Sequence, residues 1–193
     1  MLTTLYPMFQ KWSQTGSVYL ISDTHFDDEN VHQKCPEWPS PEVIIERIKK
    51  KVKKTDTLIH LGDVGNLTYF EQAWAPNKRP HMVLIMGNHD EAASRFEHVF
   101  DEIYTGPLFI AEKLLLSHEP IPNINFCLNI HGHVHESSKT DKYHLNLASN
   151  VCDWQLINLK DIILSGRLRH IESIHRMTIQ KATIRKQNKN KQR

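Results

Sequence analysis

Apolar positions fall in short blocks along this chain, and each early block ends in polar residues of a similar kind. "SVYLIS" (17–22), "DTLIHLGD" (56–63) and "HMVLIMGNHD" (81–90) are nearly continuous apolar runs that stop at an acid, a glycine or an amide. Runs of this length, bounded by turn residues, read as strands buried on both faces of a parallel sheet. "SPEVIIERIKKKVKK" (40–54) instead places Val43, Ile44, Ile48 and Val52 at helical spacing, with Ser40 as N-cap and Pro41 in the first turn. "TYFEQAW" (68–74) and "EAASRFEHVF" (91–100) read as shorter helices. Strand candidates follow at 102–104, 108–111, 113–117, 126–130, 143–146 and 155–158, and a helix over 159–174 closes the domain. Strand–helix–strand order in the first half predicts parallel pairing through crossovers. The shorter connections of the second half predict more antiparallel pairing. The pattern describes one α/β domain with two β-layers or one large mixed sheet.

In open α/β sheets, function collects at the carboxyl ends of the strands. Five polar blocks stand there: "SDTH" (22–25), "GDVG" (62–65), "GNHD" (87–90), "LSHEP" (116–120) and "HGHVH" (131–135). A single GD is usually a turn, and a single strand histidine is usually a satisfied polar residue. Five such blocks at one end of one sheet form a much stronger signal. Imidazole and carboxylate are ligands for borderline ions such as manganese, iron, zinc or nickel. No cysteine joins the set, which argues against a closed structural zinc site. Two carboxylates, one amide and four histidines are too many donors for one ion. They suit two ions sharing a carboxylate, the usual clamp for displacement at phosphorus.

The order D-x-H, GD, GNHD, H, GHxH resembles the calcineurin-like metallophosphoesterase superfamily over roughly residues 18 to 159. "SDTHF", "SHEPI" and the "NV" near 150 look like its compact prokaryotic and phage branch. The resemblance implies a four-layer α-β-β-α sandwich with two mixed β-sheets. It implies that Asp23, His25 and His135 hold one metal, that Asp63 bridges, and that Asn88, His118 and His133 complete the second. It makes His89 the residue that contacts phosphate and protonates the leaving oxygen, with Asp90 orienting it and Asn88 offsetting phosphate charge. The expected reaction is hydrolysis of a phosphate ester by a metal-bridging hydroxide, with manganese first among the divalent ions and iron, zinc, nickel or magnesium as alternatives. A phosphodiesterase on a small or nucleotide-like substrate is preferred. A phosphomonoesterase and a nuclease are alternatives, and a non-catalytic metal-binding scaffold is an alternative of another class. "GDVGNL" lacks the further acid and arginine of the protein phosphatases, which disfavours that activity.

Other residues receive structural readings. His131 reads as the last residue of its strand, outside the ligand set, and Gly132 as the point where the backbone turns. His60 reads as structural, Asp27 and Asp28 as a solvated loop, and Trp38 as a wall of the cleft mouth. Asn150 lies near the cleft with no role assigned.

Composition changes the picture in two places. Three cysteines without CxxC spacing, no signal-like N-terminus and no long apolar run predict a cytoplasmic, non-membrane protein. Charge is uneven: residues 166–193 hold nine Lys or Arg and one acid, while 1–165 hold 15 basic and 21 acidic residues. We therefore expect a domain over 1–177 and a basic tail over 178–193, either a solvated end or an arm for nucleic acid.

Overall fold

The three early apolar runs form neighbouring strands of one sheet in the computed structural model, which describes residues 6–75, 77–135 and 140–191. Strands β1 (Val18–Ile21), β2 (Thr57–His60), β3 (His81–Ile85) and β4 (Glu102–Tyr104) pair in parallel, and β9 (Ile157–Asn158) adds to β1 antiparallel. A second sheet runs β5 (Leu108–Ala111), β6 (Leu114–Leu116), β7 (Leu128–His131) and β8 (His144–Asn146) in spatial order. Both sheets are mixed, and the fold is α/β as expected. Both antiparallel pairs, β5–β6 and β1–β9, involve strands of the second half, as expected, while β6–β7 and β7–β8 are parallel. The segment between β6 and β7 is about as long as a parallel crossover requires, even without a helix.

The sheets face each other across one apolar layer. Leu20, Ile59, Val83 and Ile85 from the first sheet meet Leu116, Leu128 and Ile130 from the second. Helix α3 (Pro41–Lys51) and α4 (Thr68–Ala73) cover the outer face of the first sheet, with Ile44, Ile45, Ile48 and Phe70 buried. Ser40 stands at the start of α3 as predicted, though its hydroxyl makes no cap bond, and Val43 points outward. The outer face of the second sheet carries a smaller cluster of Leu115, Ile124 and Cys127.

Two predicted segments differ in detail. The 91–100 stretch is a 3₁₀ turn over Ala93–Arg95 followed by further tight turns, not a helix. Those turns still bury Phe96, Val99 and Phe100, so the apolar spacing reported the buried face and not the winding. The closing helix stops early: α5 is Leu159–Leu164, and Gly166 (φ 84°) turns the chain left-handed. A separate helix, α6, then runs over Ile174–Lys191. Two short helices lacked a readable pattern. These are α1 (Tyr6–Ser13), which buries Trp12 in the inter-sheet layer, and α2 (Glu29–Lys34), capped by Asp28. Among the described residues no helix is long and apolar enough to cross a membrane.

Candidate metal centre

The carboxyl ends of β1, β2, β3, β6 and β7 converge, because the loops after them are tied together by backbone bonds. The amides of Asp23, His25 and Phe26 donate to the carbonyls of Gly62, Asp63 and Val64, and Gly132 donates to His118. Two sets of donor atoms result, each within 4.8 Å of one another: Asp23, His25 and His135, then Asp63, His118 and His133. The Asn88 Oδ1 joins the second set, 2.9 Å from His118 Nε2 and 3.0 Å from His133 Nδ1. All seven candidate ligands therefore meet. Asp63 Oδ2 faces both sets, 3.6 Å from His25 Nε2 and 3.3 Å from His118 Nε2. The floor of Asp23, His25, Asp63 and His118 is buried, while Asn88 and His89 stand exposed at the mouth.

The backbone at the site is unusual. Asp23, His25, Asp63 and His133 have φ of 52°, 42°, 57° and 65°, a region that side-chain-bearing residues seldom adopt. Each such residue costs about 1–3 kcal/mol and persists only where its surroundings over-determine it. Here they do. Both Asp23 oxygens accept from the His133 amide at 3.0 and 3.1 Å, and Asp63 Oδ1 accepts from the His89 amide at 2.9 Å. The backbone turns at Gly132 as expected, closed by the Val134 amide donating to the Gly132 carbonyl at 2.8 Å, but the left-handed residue of the turn is His133. A Cβ there would overlap Ser22 Oγ and the Asp23 carboxylate, so Gly132 provides room for Asp23.

Imidazole orientation is set by the ring nitrogen that faces away from the cluster. His25 Nδ1 lies 3.2 Å from Asp28 Oδ2, His135 Nδ1 2.9 Å from Asn150 Oδ1, and His118 Nδ1 2.8 Å from the Leu61 carbonyl. With those protons outward, the Nε2 lone pairs point inward, which is how metal-ligating histidines are normally held. His25 Nε2 is buried without a hydrogen-bond partner. His118 Nε2 and His133 Nδ1 are 3.2 Å apart. Several acceptors converging on two spots, one of them orphaned, fit a pair of divalent cations.

Electrostatics agree with that fit. Burial pushes Asp23 up to about 6 and His25 down to about 4. Burial would raise Asp63 too, but its hydrogen bond and attraction to His118 outweigh this and hold it at about 2. The same contact, with Asp23 nearby, outweighs the burial of His118 and lifts it to about 9.

The calcineurin-like phosphoesterase model matches residues 16–178. This chain belongs to that family. A solved protein of unknown function from Aquifex aeolicus shares the fold at TM-score 0.65 and 31% identity, over 77% of this chain and 98% of the other. An uncharacterized protein from Methanocaldococcus jannaschii is 26% identical over 167 residues, 76% of this chain and 89% of the relative. A nuclease from Pseudomonas putida aligns at TM-score 0.47 and 26% identity over 61% of each chain.

Within this phosphoesterase fold, the remaining residues take definite places. Asp90 was expected to orient the His89 ring. Its oxygens instead accept from the amides of Asp63 (3.0 Å), Val64 (2.9 Å) and Gly87 (2.8 Å), clamping two ligand loops together. His60 is fully buried and structural: Nδ1 accepts from the Gly62 amide, and Nε2 lies 3.0 Å from Thr24 Oγ1. Burial holds its pKa near 3, so it is a neutral strut between two ligand loops. His131 ends β7, with Nδ1 on the Gly132 carbonyl at 2.8 Å, outside both donor sets. The acidic pair after "SDTHF" is no free loop. Asp27 accepts from Asn66 and Tyr69, while Asp28 caps α2 and holds His25. Asp28 and Asn150, which orient His25 and His135, are the residues of this site missed in sequence. Their signal, an acid three residues after a ligand and an amide distant in sequence, needs the fold to be seen.

Proposed function

We propose that this protein is a two-metal phosphodiesterase acting on a small or nucleotide-like ester. The observation that carries the reading is the pair of donor sets facing one shared carboxylate oxygen, with His89 beside them and outside both. Asp23, His25 and His135 would hold one divalent ion, Asn88, His118 and His133 the other, and Asp63 both, with manganese the first choice. When bound, two such ions supply Lewis acidity toward the phosphate oxygens and make water acidic enough to react near neutral pH. The chain's own contribution lies at the mouth. His89 is exposed, its backbone is pinned to Asp63, and its ring centroid is 5.4 Å from that of His25. It gives its proton to the leaving oxygen as the phosphorus–oxygen ester bond breaks, and Asn88 presents its amide N–H to a phosphate oxygen. His89→Ala should keep two bound Mn²⁺ and lose on the order of 10²–10⁴-fold in turnover of a chromogenic diester. Unchanged turnover would remove His89 from this role, and no hydrolysis with any divalent ion would favour the scaffold.

A second reading concerns α6. Its exposed Arg176, Lys181 and Arg185 face solvent with no acid in the helix, a surface suited to a polyanion such as nucleic acid. Salt-sensitive oligonucleotide binding, lost on trimming residues 178–193, is the expected result; binding unaffected by the trim would dismiss it.

A further inference from the structure

Two cavities meet at His89. One, of about 620 Å³, opens from His25, His133 and His135 along Val31, Trp38 and Val134, with Lys34 at its edge. The other, of about 470 Å³, lies on the far side of His89 between Phe26, Leu67 and Phe96, and none of the seven candidate ligands lines it. A phosphorus atom at the donor cluster therefore has room for a substituent on either side of His89. A monoester would leave one side empty.

The two cavities differ in chemistry. The first has an aromatic wall: Trp38 packs its ring 5.9 Å from His25 and 5.8 Å from His135. Among the described residues its one carboxylate, Asp28, is committed to His25 and to the cap of α2. The second is lined by Asp27, Glu71, Asp90 and Glu91 against a single guanidinium, Arg95. These acids are held in place. Asp27 accepts from Asn66 at 2.7 Å and Tyr69 at 3.0 Å, Glu71 pairs with His98 at 2.6 Å, and Glu91 pairs with Arg95. Four carboxylates against one guanidinium leave this lining net negative, which disfavours a further anionic group there.

We propose that the substrate is a small phosphodiester with two unlike arms, an apolar or planar arm against Trp38 and a hydroxyl- or amine-bearing arm, free of further phosphate, in the acidic cavity. This rests on the phosphodiesterase reading and deepens it. A polynucleotide would have to carry a second phosphate into the acidic cavity, so it is the substrate this arrangement rejects.

The test uses the full chain with Mn²⁺ and three substrates: thymidylyl-thymidine, and the same compound with one extra phosphate at its 5′ or at its 3′ end. We expect one of the two phosphorylated forms to lose about tenfold in kcat/KM relative to the parent, and the other to lose little. Glu71→Gln combined with Glu91→Gln should shrink that ratio severalfold, with the thermal melt reporting that the variant is folded. Equal behaviour of both phosphorylated forms, or a ratio indifferent to the double substitution, would overturn the proposal while leaving a phosphodiesterase. Failure to cleave any of the three, or any other phosphate ester, would overturn the phosphodiesterase reading itself.

Discussion

The two donor sets each hold one carboxylate and two histidines, the second with Asn88 in addition, and they are supported differently. In the first, His25 and His135 are oriented by side chains, Asp28 and Asn150, and both rings pack on Trp38. In the second, His118 is oriented by the backbone carbonyl of Leu61, which no substitution removes. The sets are also cross-tied, because Asp23 of the first holds the backbone of His133 of the second. The difference teaches where this centre can be tuned. Side-chain support can be altered residue by residue, whereas main-chain support is built into the fold.

The largest effect should come from the residue the two sets share. Asp63→Asn should weaken both ions and lower hydrolysis by more than the roughly 100-fold that a supporting residue costs. Calorimetric Mn²⁺ titration would check it, and loss of one ion alone would show that the carboxylate is not shared. Next, Asp28→Asn keeps an oxygen to cap α2 but loses the acceptor for His25. It should reduce the affinity of one ion about 10–100-fold and spare the other. Equal weakening of both would erase the contrast between side-chain and main-chain support. The smallest effect at the centre should come from Glu102, which is remote from both sets. Burial alone would raise its pKa, but bonds from Trp12, Tyr104 and His81, with Lys11 near, bring it from 4.5 to about 2. A lowered carboxylate pKa stabilises the fold above about 4.5, and that share is lost as pH falls toward 2. Glu102→Gln should cost about 2 kcal/mol in denaturant unfolding at pH 7 and much less at pH 3, with both Mn²⁺ affinities unchanged. A shifted affinity would mean that the half-sites respond to general stability and not to their local supports.

Much of the architecture was legible because burial leaves a trace in sequence. The runs at β1, β2 and β3 are buried on both faces, so their apolar character is continuous and their ends are sharp. The ligand blocks were legible for a related reason, since each follows such an end. The 91–100 turns and the break at Gly166 were not, because apolar spacing reports which side is buried and a helix and a series of tight turns can bury the same side. Asp90 was misplaced because its partners are backbone amides, which carry no sequence signal. Asn150 had no readable role because its partner His135 is on another loop, 15 residues away.

By itself, the sequence determined which residue types would stand at the strand ends, and so the kind of chemistry the centre can support. It separated His131 from its neighbours only through a resemblance. Only the tertiary structure decided how His133 and His135, two residues apart, turn to different donor sets: the left-handed φ of His133, held by Asp23 from another strand, breaks the alternation a regular strand would impose. That is a property of two loops packed together, and no local pattern encodes it.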